Sequence, residues 1–157
     1  MKSRTVITIV LLAFVAASVI YLIVRESAQT APPQSNEQPP AVKNSVVVYY
    51  FHGSARCVTC RTMEKYAKEA VEASFPEALS EGLLEWRTVN VQGPGNEHFI
   101  SDFQLTSLSV VVERRVDGQR KEWKNLYRVW DLLRRDDKPG FVKYIRDEVQ
   151  AYLEAAG

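Results

Sequence analysis

The feature that most constrains this chain is a change of pattern around its only two cysteines, Cys57 and Cys60. Before them runs Val46-Val47-Val48-Tyr49-Tyr50-Phe51, a β-branched and aromatic block that predicts a buried strand. After them runs Met63-Glu64-Lys65-Tyr66-Ala67-Lys68-Glu69-Ala70-Val71, rich in helix formers, with Met63, Ala67, Ala70 and Val71 on one face. This places Cys57 at a helix N-terminus, where unpaired backbone N–H groups and the positive end of the macrodipole favour a thiolate. Arg56 and Arg61 add positive charge on both sides. Cys60, one turn further in, can reach the Cys57 sulfur and is expected to be the less exposed partner.

A C-x-x-C at a strand-to-helix junction is a redox signature. Three readings stand beside each other. The pair can exchange thiols and disulfides, chelate a soft metal or arsenic(III) with His52 as a third donor, or form an inert disulfide. The last is the weakest, because so short a loop removes little entropy from the unfolded chain. His52, five residues before Cys57, is equally well a proton shuttle, a hydrogen-bond donor to sulfur or a plain strand end. His98, Trp86, Trp123, Trp130, Arg114-Arg115 and Arg134-Arg135 read as surface or packing residues. Gly93-Pro94-Gly95 lacks any nucleotide-binding pattern, so no organic cofactor is expected and a redox-active disulfide carries the chemistry.

The motif and its surroundings resemble the thioredoxin superfamily over most of residues 45–157. Val89-Asn90-Val91-Gln92 and Asn96-Glu97-His98-Phe99-Ile100-Ser101-Asp102-Phe103 are similar to that superfamily's second core strand and following helix. Leu105-Thr106-Ser107-Leu108-Ser109-Val110-Val111-Val112 resembles the stretch carrying its cis-proline, with Ser109 at the proline position. Arg56 stands where a tryptophan usually precedes the first cysteine, and the buried acid of the preceding strand is missing. Tyr49-Tyr50-Phe51-His52-Gly53, Arg56 and the absent proline look most like a small bacterial group, the nitrophenyl compound nitroreductase subunit family. The resemblance implies an α/β, thioredoxin-like three-layer sandwich with a central mixed sheet and catalytic Cys57 and Cys60. It implies a protein disulfide or dithiol substrate and a separate redox partner. It also implies that Ser109 faces the cysteine pair, its N–H and hydroxyl open to sulfur; a non-proline residue there predicts a trans Leu108–Ser109 bond.

The rest of the chain sets the domain plan. Met1-Lys2-Ser3-Arg4 is a basic head and Thr5–Val24 carries no charge. Twenty such residues span roughly 30 Å as a helix, about a bilayer core. This predicts a single N-terminal transmembrane anchor over 1–24, N-terminus cytoplasmic and the remainder in the periplasm or outside the cell. A cleaved signal peptide is the alternative, but the apolar run is long for one and ends in bulky residues. Residues 25–44 hold Pro32, Pro33, Pro39 and Pro40 among polar residues, a tether reaching up to roughly 60 Å. Residues 45–157 suit one domain with 16 basic and 17 acidic residues, which argues against nucleic-acid binding. A partner in a membrane or extracytoplasmic redox chain fits this plan, as does an accessory subunit that uses the fold as a scaffold. Within the domain the expected order is strand 45–51, helix 57–74, a turn at 77–82, strand 83–91, helix 96–103, strands 107–116 and 119–125, helix 126–135, a break at 136–140 and helix 141–155.

Overall fold

The computed structural model describes Ser18, which is helical, and residues 44–157. The predicted anchor, apart from Ser18, and the tether, apart from Asn44, lie outside the described residues. No helix among the described residues is long and apolar enough to cross a membrane.

The chain from residue 44 forms β1 (Asn44–His52), α1 (Val58–Ser74), α2 (Pro76–Ser80), β2 (Leu84–Asn90), α3 (His98–Asp102), β3 (Ser109–Val116), β4 (Gln119–Asn125), α4 (Arg128–Arg134) and α5 (Lys138–Ala156). The sheet order is β2-β1-β3-β4. β1 is parallel to β2 and antiparallel to β3, and β3 is antiparallel to β4. Each feature follows from a local cause. A parallel neighbour needs a crossover, which α1 and α2 supply. The β3–β4 hairpin turns at Asp117 and Gly118, whose φ values of 51° and 74° are the left-handed pair that a two-residue hairpin requires. This strand order with a mixed sheet is the thioredoxin-like α/β arrangement that the resemblance implies.

β1 is the buried central strand and its alternation divides the interior. Val46, Val48 and Tyr50 point to one face, where Met63, Ala67, Ala70 and Val71 of α1 meet Phe141, Ile145 and Val149 of α5. Val47, Tyr49 and Phe51 point to the other face, against Phe103 and Val111, with Phe99 of the short α3 at its edge. Each fully buried large side chain of this kind contributes about 1.5–3 kcal/mol, so the sheet faces fix the register of β1.

Two expectations change. The last helix starts at Lys138, not Phe141, because Lys138-Pro139-Gly140 is its first turn rather than a break. Asp137 caps it, its carboxylate accepting from Gly140 N at 2.8 Å, and proline fits an early helical position that needs no donor. A side chain at position 140 would collide with that carboxylate. The helix's buried stripe is Phe141, Ile145 and Val149, whereas Val142 and Tyr152, expected on it, are only half-buried.

Candidate redox site

β1 ends at His52, and five residues later Cys57 stands as the N-cap of α1 with an extended backbone, φ −74° and ψ 168°. The intervening loop is tied to the end of β2 and the turn beyond it. Ser54 N donates to Gln92 Oε1 at 2.8 Å and Asn90 Nδ2 donates to Ser54 Oγ at 3.2 Å. The two cysteines form a disulfide, with Cα atoms 5.1 Å apart. They also cap the helix reciprocally: Cys60 N donates to Cys57 Sγ at 3.1 Å, and Cys57 N donates to Cys60 Sγ at 3.2 Å. Sulfur thus takes the role that serine and glutamate oxygens play in an ordinary capping box.

The pair is asymmetric. Cys57 is exposed, while Cys60 is 3% exposed. Tyr50 explains part of this: its hydroxyl, under the first turn of α1, donates to the Cys60 carbonyl at 2.7 Å. Burial pushes the Tyr50 hydroxyl up to about 12, so it stays a donor across the physiological range. Of the two cysteines, Cys57 is the one open to solvent, and Cys60 is buried behind it. The Cys60 N–H aimed at Cys57 Sγ, together with the start of a 17-residue helix, would stabilise negative charge on that sulfur after reduction. Val58, next to Cys57, is 74% exposed and offers an apolar contact beside the reactive sulfur.

The supporting residues fall in three places. Arg56 does not stand free beside Cys57: Nη2 forms an ion pair with Glu64 Oε2, and Nη1 lies 3.3 Å from His52 Nε2. His52 Nδ1 is 2.8 Å from Gly53 O. A carbonyl only accepts, so Nδ1 carries the proton and Nε2 accepts from Arg56. Both ring nitrogens are engaged, and no cluster of three metal-ligating side chains occurs among the described residues. His52 is therefore not gathered with Cys57 and Cys60 into a three-donor metal centre. Arg61 extends an exposed side chain from the first turn of α1, its N–H bonded to Cys57 O at 3.1 Å.

The Ser109 side chain turns to the other face of the sheet. The residue pairs with Phe51 across the β1–β3 ladder, and residues directly opposite share a face. That face is the one packed against α3, whereas α1 and its cysteines sit over the Tyr50 face. Ser109 is 2% exposed, its hydroxyl donating to Ser107 O at 3.0 Å and accepting from Asn125 Nδ2 at 3.1 Å. The hydroxyl expected to be open to sulfur is thus taken up in holding β3 to β4. No described peptide bond is cis, so the expectation of a trans Leu108–Ser109 bond holds.

Two residues that the sequence did not single out belong to the site, Tyr50 and Glu64. Glu64 lies seven residues after Cys57, which at 3.6 residues per turn is almost two full turns and returns it to the same side of α1. That spacing was the available signal. Below the loop a cavity of about 250 Å³ opens at the end of β1, lined by Phe51, His52, Gly53, Val91, Leu105 and Leu108 among others. It shares His52 and Gly53 with the cysteine loop.

No family model matches the sequence, and no curated protein does. The narrower resemblance to the nitrophenyl compound nitroreductase subunit family is therefore not supported. Among solved structures the chain is similar to oxidised thioredoxin O2 from Arabidopsis thaliana, at 15% identity over 58% of this chain and 74% of that one, TM-score 0.37. It is similar to thioredoxin from Trypanosoma brucei brucei at 15% identity over 68% and 76%, TM-score 0.39. It is also similar to oxidised mitochondrial thioredoxin 3 from Saccharomyces cerevisiae at 16% identity over 52% and 67%, TM-score 0.36. At that distance the roles of individual residues rest on this chain's own geometry.

Proposed function

We propose that the protein is a membrane-anchored, extracytoplasmic thiol–disulfide oxidoreductase working through the Cys57–Cys60 couple. The observation that carries this reading is the asymmetric pair itself: an exposed sulfur at a helix cap, joined to a buried sulfur one turn inside. Starting from the disulfide, a substrate thiolate attacks Cys57 Sγ, the Cys57–Cys60 bond breaks, and Cys60 leaves as a thiolate or, after protonation, a thiol. A second substrate thiolate then attacks the substrate sulfur of the mixed disulfide and releases Cys57 as the thiolate, which the Cys60 N–H and helix start favour. Two electrons pass from the substrate dithiol to the protein, and the substrate leaves as a disulfide. The reverse sequence reduces a substrate disulfide. In either direction a partner of the opposite redox state returns the couple to its starting form.

Placement outside the cytoplasm is supported by the uncharged Thr5–Val24 run behind a basic head and by the proline-rich tether at 25–44. A compartment that permits disulfides suits a chain whose two cysteines are joined.

Full-length protein in detergent, assayed for thiol-dependent reduction of insulin and for oxidation of a reduced peptide, tests the chemistry. Activity in either assay that is lost in Cys57→Ser is expected; equal activity in the two proteins would remove the reading. Retention in membranes after a carbonate wash is expected for the anchor, and release of a soluble protein would replace the anchor with a removed leader.

A further inference from the structure

Arg56 forms two links around the cysteine loop. Its guanidinium meets Glu64 from α1 and His52 from the end of β1. Glu64 uses its other oxygen to accept from Thr88 Oγ1 of β2 at 3.3 Å, and Thr88 Oγ1 accepts from Trp86 Nε1 at 3.2 Å. Arg56 and Glu64 are both partly shielded, with side chains 30% and 24% exposed, so their fields are less screened than those of a fully exposed pair. Arg56 Nε–H is buried and has no partner among the described residues, so the guanidinium is held only through its outer nitrogens. The pair lies close to the Tyr50 hydroxyl, which Arg56 and Glu64 bias in opposite directions and which itself bonds the Cys60 carbonyl; Arg56 is also the residue preceding Cys57. Tyr50, His52, which accepts from Arg56, and Arg61 on the first turn of α1 are ionisable side chains around the same loop and helix start.

We propose that Glu64 is a positioning residue that sets the redox poise of the Cys57–Cys60 couple, by neutralising Arg56 and holding it off the Cys57 sulfur. This deepens the oxidoreductase reading and rests on it. The cation preceding Cys57 in sequence is a latent stabiliser of the thiolate, and its carboxylate partner, two turns along the same side of α1, restrains it. A stabilised thiolate favours the reduced protein and makes the disulfide a stronger oxidant. The pair therefore predicts opposite consequences for its two members. Removing the charge of Glu64 leaves the cation uncompensated and stabilises the thiolate. Removing the charge of Arg56 leaves the carboxylate uncompensated and destabilises it.

The test uses the full-length protein, glutathione as the redox buffer and iodoacetamide as the probe. Glu64→Gln is expected to lower the pH midpoint of Cys57 alkylation and shift the equilibrium with glutathione about tenfold toward the dithiol, about 30 mV for a two-electron couple. Arg56→Gln is expected to move both readouts the opposite way, and the double variant to return within about twofold of the parent. Thr88→Val removes a hydrogen bond to Glu64 but no charge, and is expected to leave both readouts near the parent. Shifts of the same sign in Glu64→Gln and Arg56→Gln would overturn the proposal, as would no shift in either, or a Thr88→Val shift as large as that of Glu64→Gln. If Arg56→Gln does not fold, Arg56→Lys, which keeps the charge, is expected to stay near the parent, and a shift as large as that of Glu64→Gln would overturn it. None of these measurements needs a protein substrate. Failure of the insulin and peptide assays with the predicted shifts intact would count against the oxidoreductase reading alone.

Discussion

Two of the arginine–glutamate clusters on this domain have opposite characters. On the α3 face of the sheet, Glu113 is fully buried and bonded by two arginines: Arg115 Nε, and Arg120 Nε at 2.8 Å. Arg115 also donates to Tyr49 Oη at 2.7 Å, and Arg120 lies over the Phe103 ring, 4.2 Å from its centroid, and reaches Asp102 at 3.4 Å. At the cysteine loop one arginine faces one glutamate, both partly exposed, with a donor left over. A buried carboxylate with excess cation and complete hydrogen bonding pins β3 to β4 and has no freedom to serve chemistry. A half-exposed pair beside a reactive sulfur holds little stability and can alter that sulfur's charge balance.

The comparison breaks most visibly under truncation. Glu113→Ala strands two guanidiniums on an apolar face and is expected to cost about 3 kcal/mol, at the low end for a buried pair because both arginines are partly exposed. Urea unfolding should show this as a lowered midpoint with thiol alkylation unchanged. Glu64→Ala is expected to cost only about 0.5 kcal/mol while moving the alkylation midpoint. Equal losses of stability would erase the distinction.

Tyr50→Phe removes the side-chain hydrogen bond to the Cys60 carbonyl, which keeps its place in the helical ladder, and is expected to cost about 1 kcal/mol. Its hydroxyl also carries a pH signature. Tyr50 and Tyr152 are each pushed from 10.0 up to about 12, chiefly by burial. A group whose folded pKa is raised contributes stability that is present below its unfolded pKa and is lost as pH rises toward the folded one. Unfolding midpoints should therefore fall between about pH 10 and 12, and Tyr50→Phe should flatten part of that slope. Ser109→Ala is the smaller case, at about 1 kcal/mol for hydrogen bonds to Ser107 and Asn125, with alkylation unchanged because the side chain faces away from α1.

These residues also mark how far the sequence could be read. The β-branched run of β1, the Met63-Ala67-Ala70-Val71 face of α1 and the Asp117-Gly118 turn carry their structure in period and turn chemistry, and all lie where those signals put them. The cysteine asymmetry was legible too, since Cys60 lies three residues before Met63 and so extends the Met63-Ala67-Ala70 face. Ser109 was not, because a resemblance located it along the chain while the pleat of β3 decided its face. Glu64 was hidden in a run of helix-favouring residues whose charges read as a solvated surface. The seven-residue spacing puts Glu64 on the Cys57 side of α1, but its pairing with Arg56 also depends on how the loop folds back at the N-cap, which that spacing does not encode. The start of α5 was missed because Pro139 and Gly140 break a helix interior but fit a first turn capped by Asp137.

The central claim is that Cys57 is the solvent-facing sulfur that exchanges with substrate and Cys60 the buried partner. The most direct measurement is reduction of the full-length protein followed by timed iodoacetamide labelling near neutral pH, with each cysteine quantified by peptide mass spectrometry. The account predicts that Cys57 is labelled at least about tenfold faster than Cys60 and faster than a free cysteine, since it is both more exposed and more ionised. Equal rates, or faster labelling of Cys60, would contradict it.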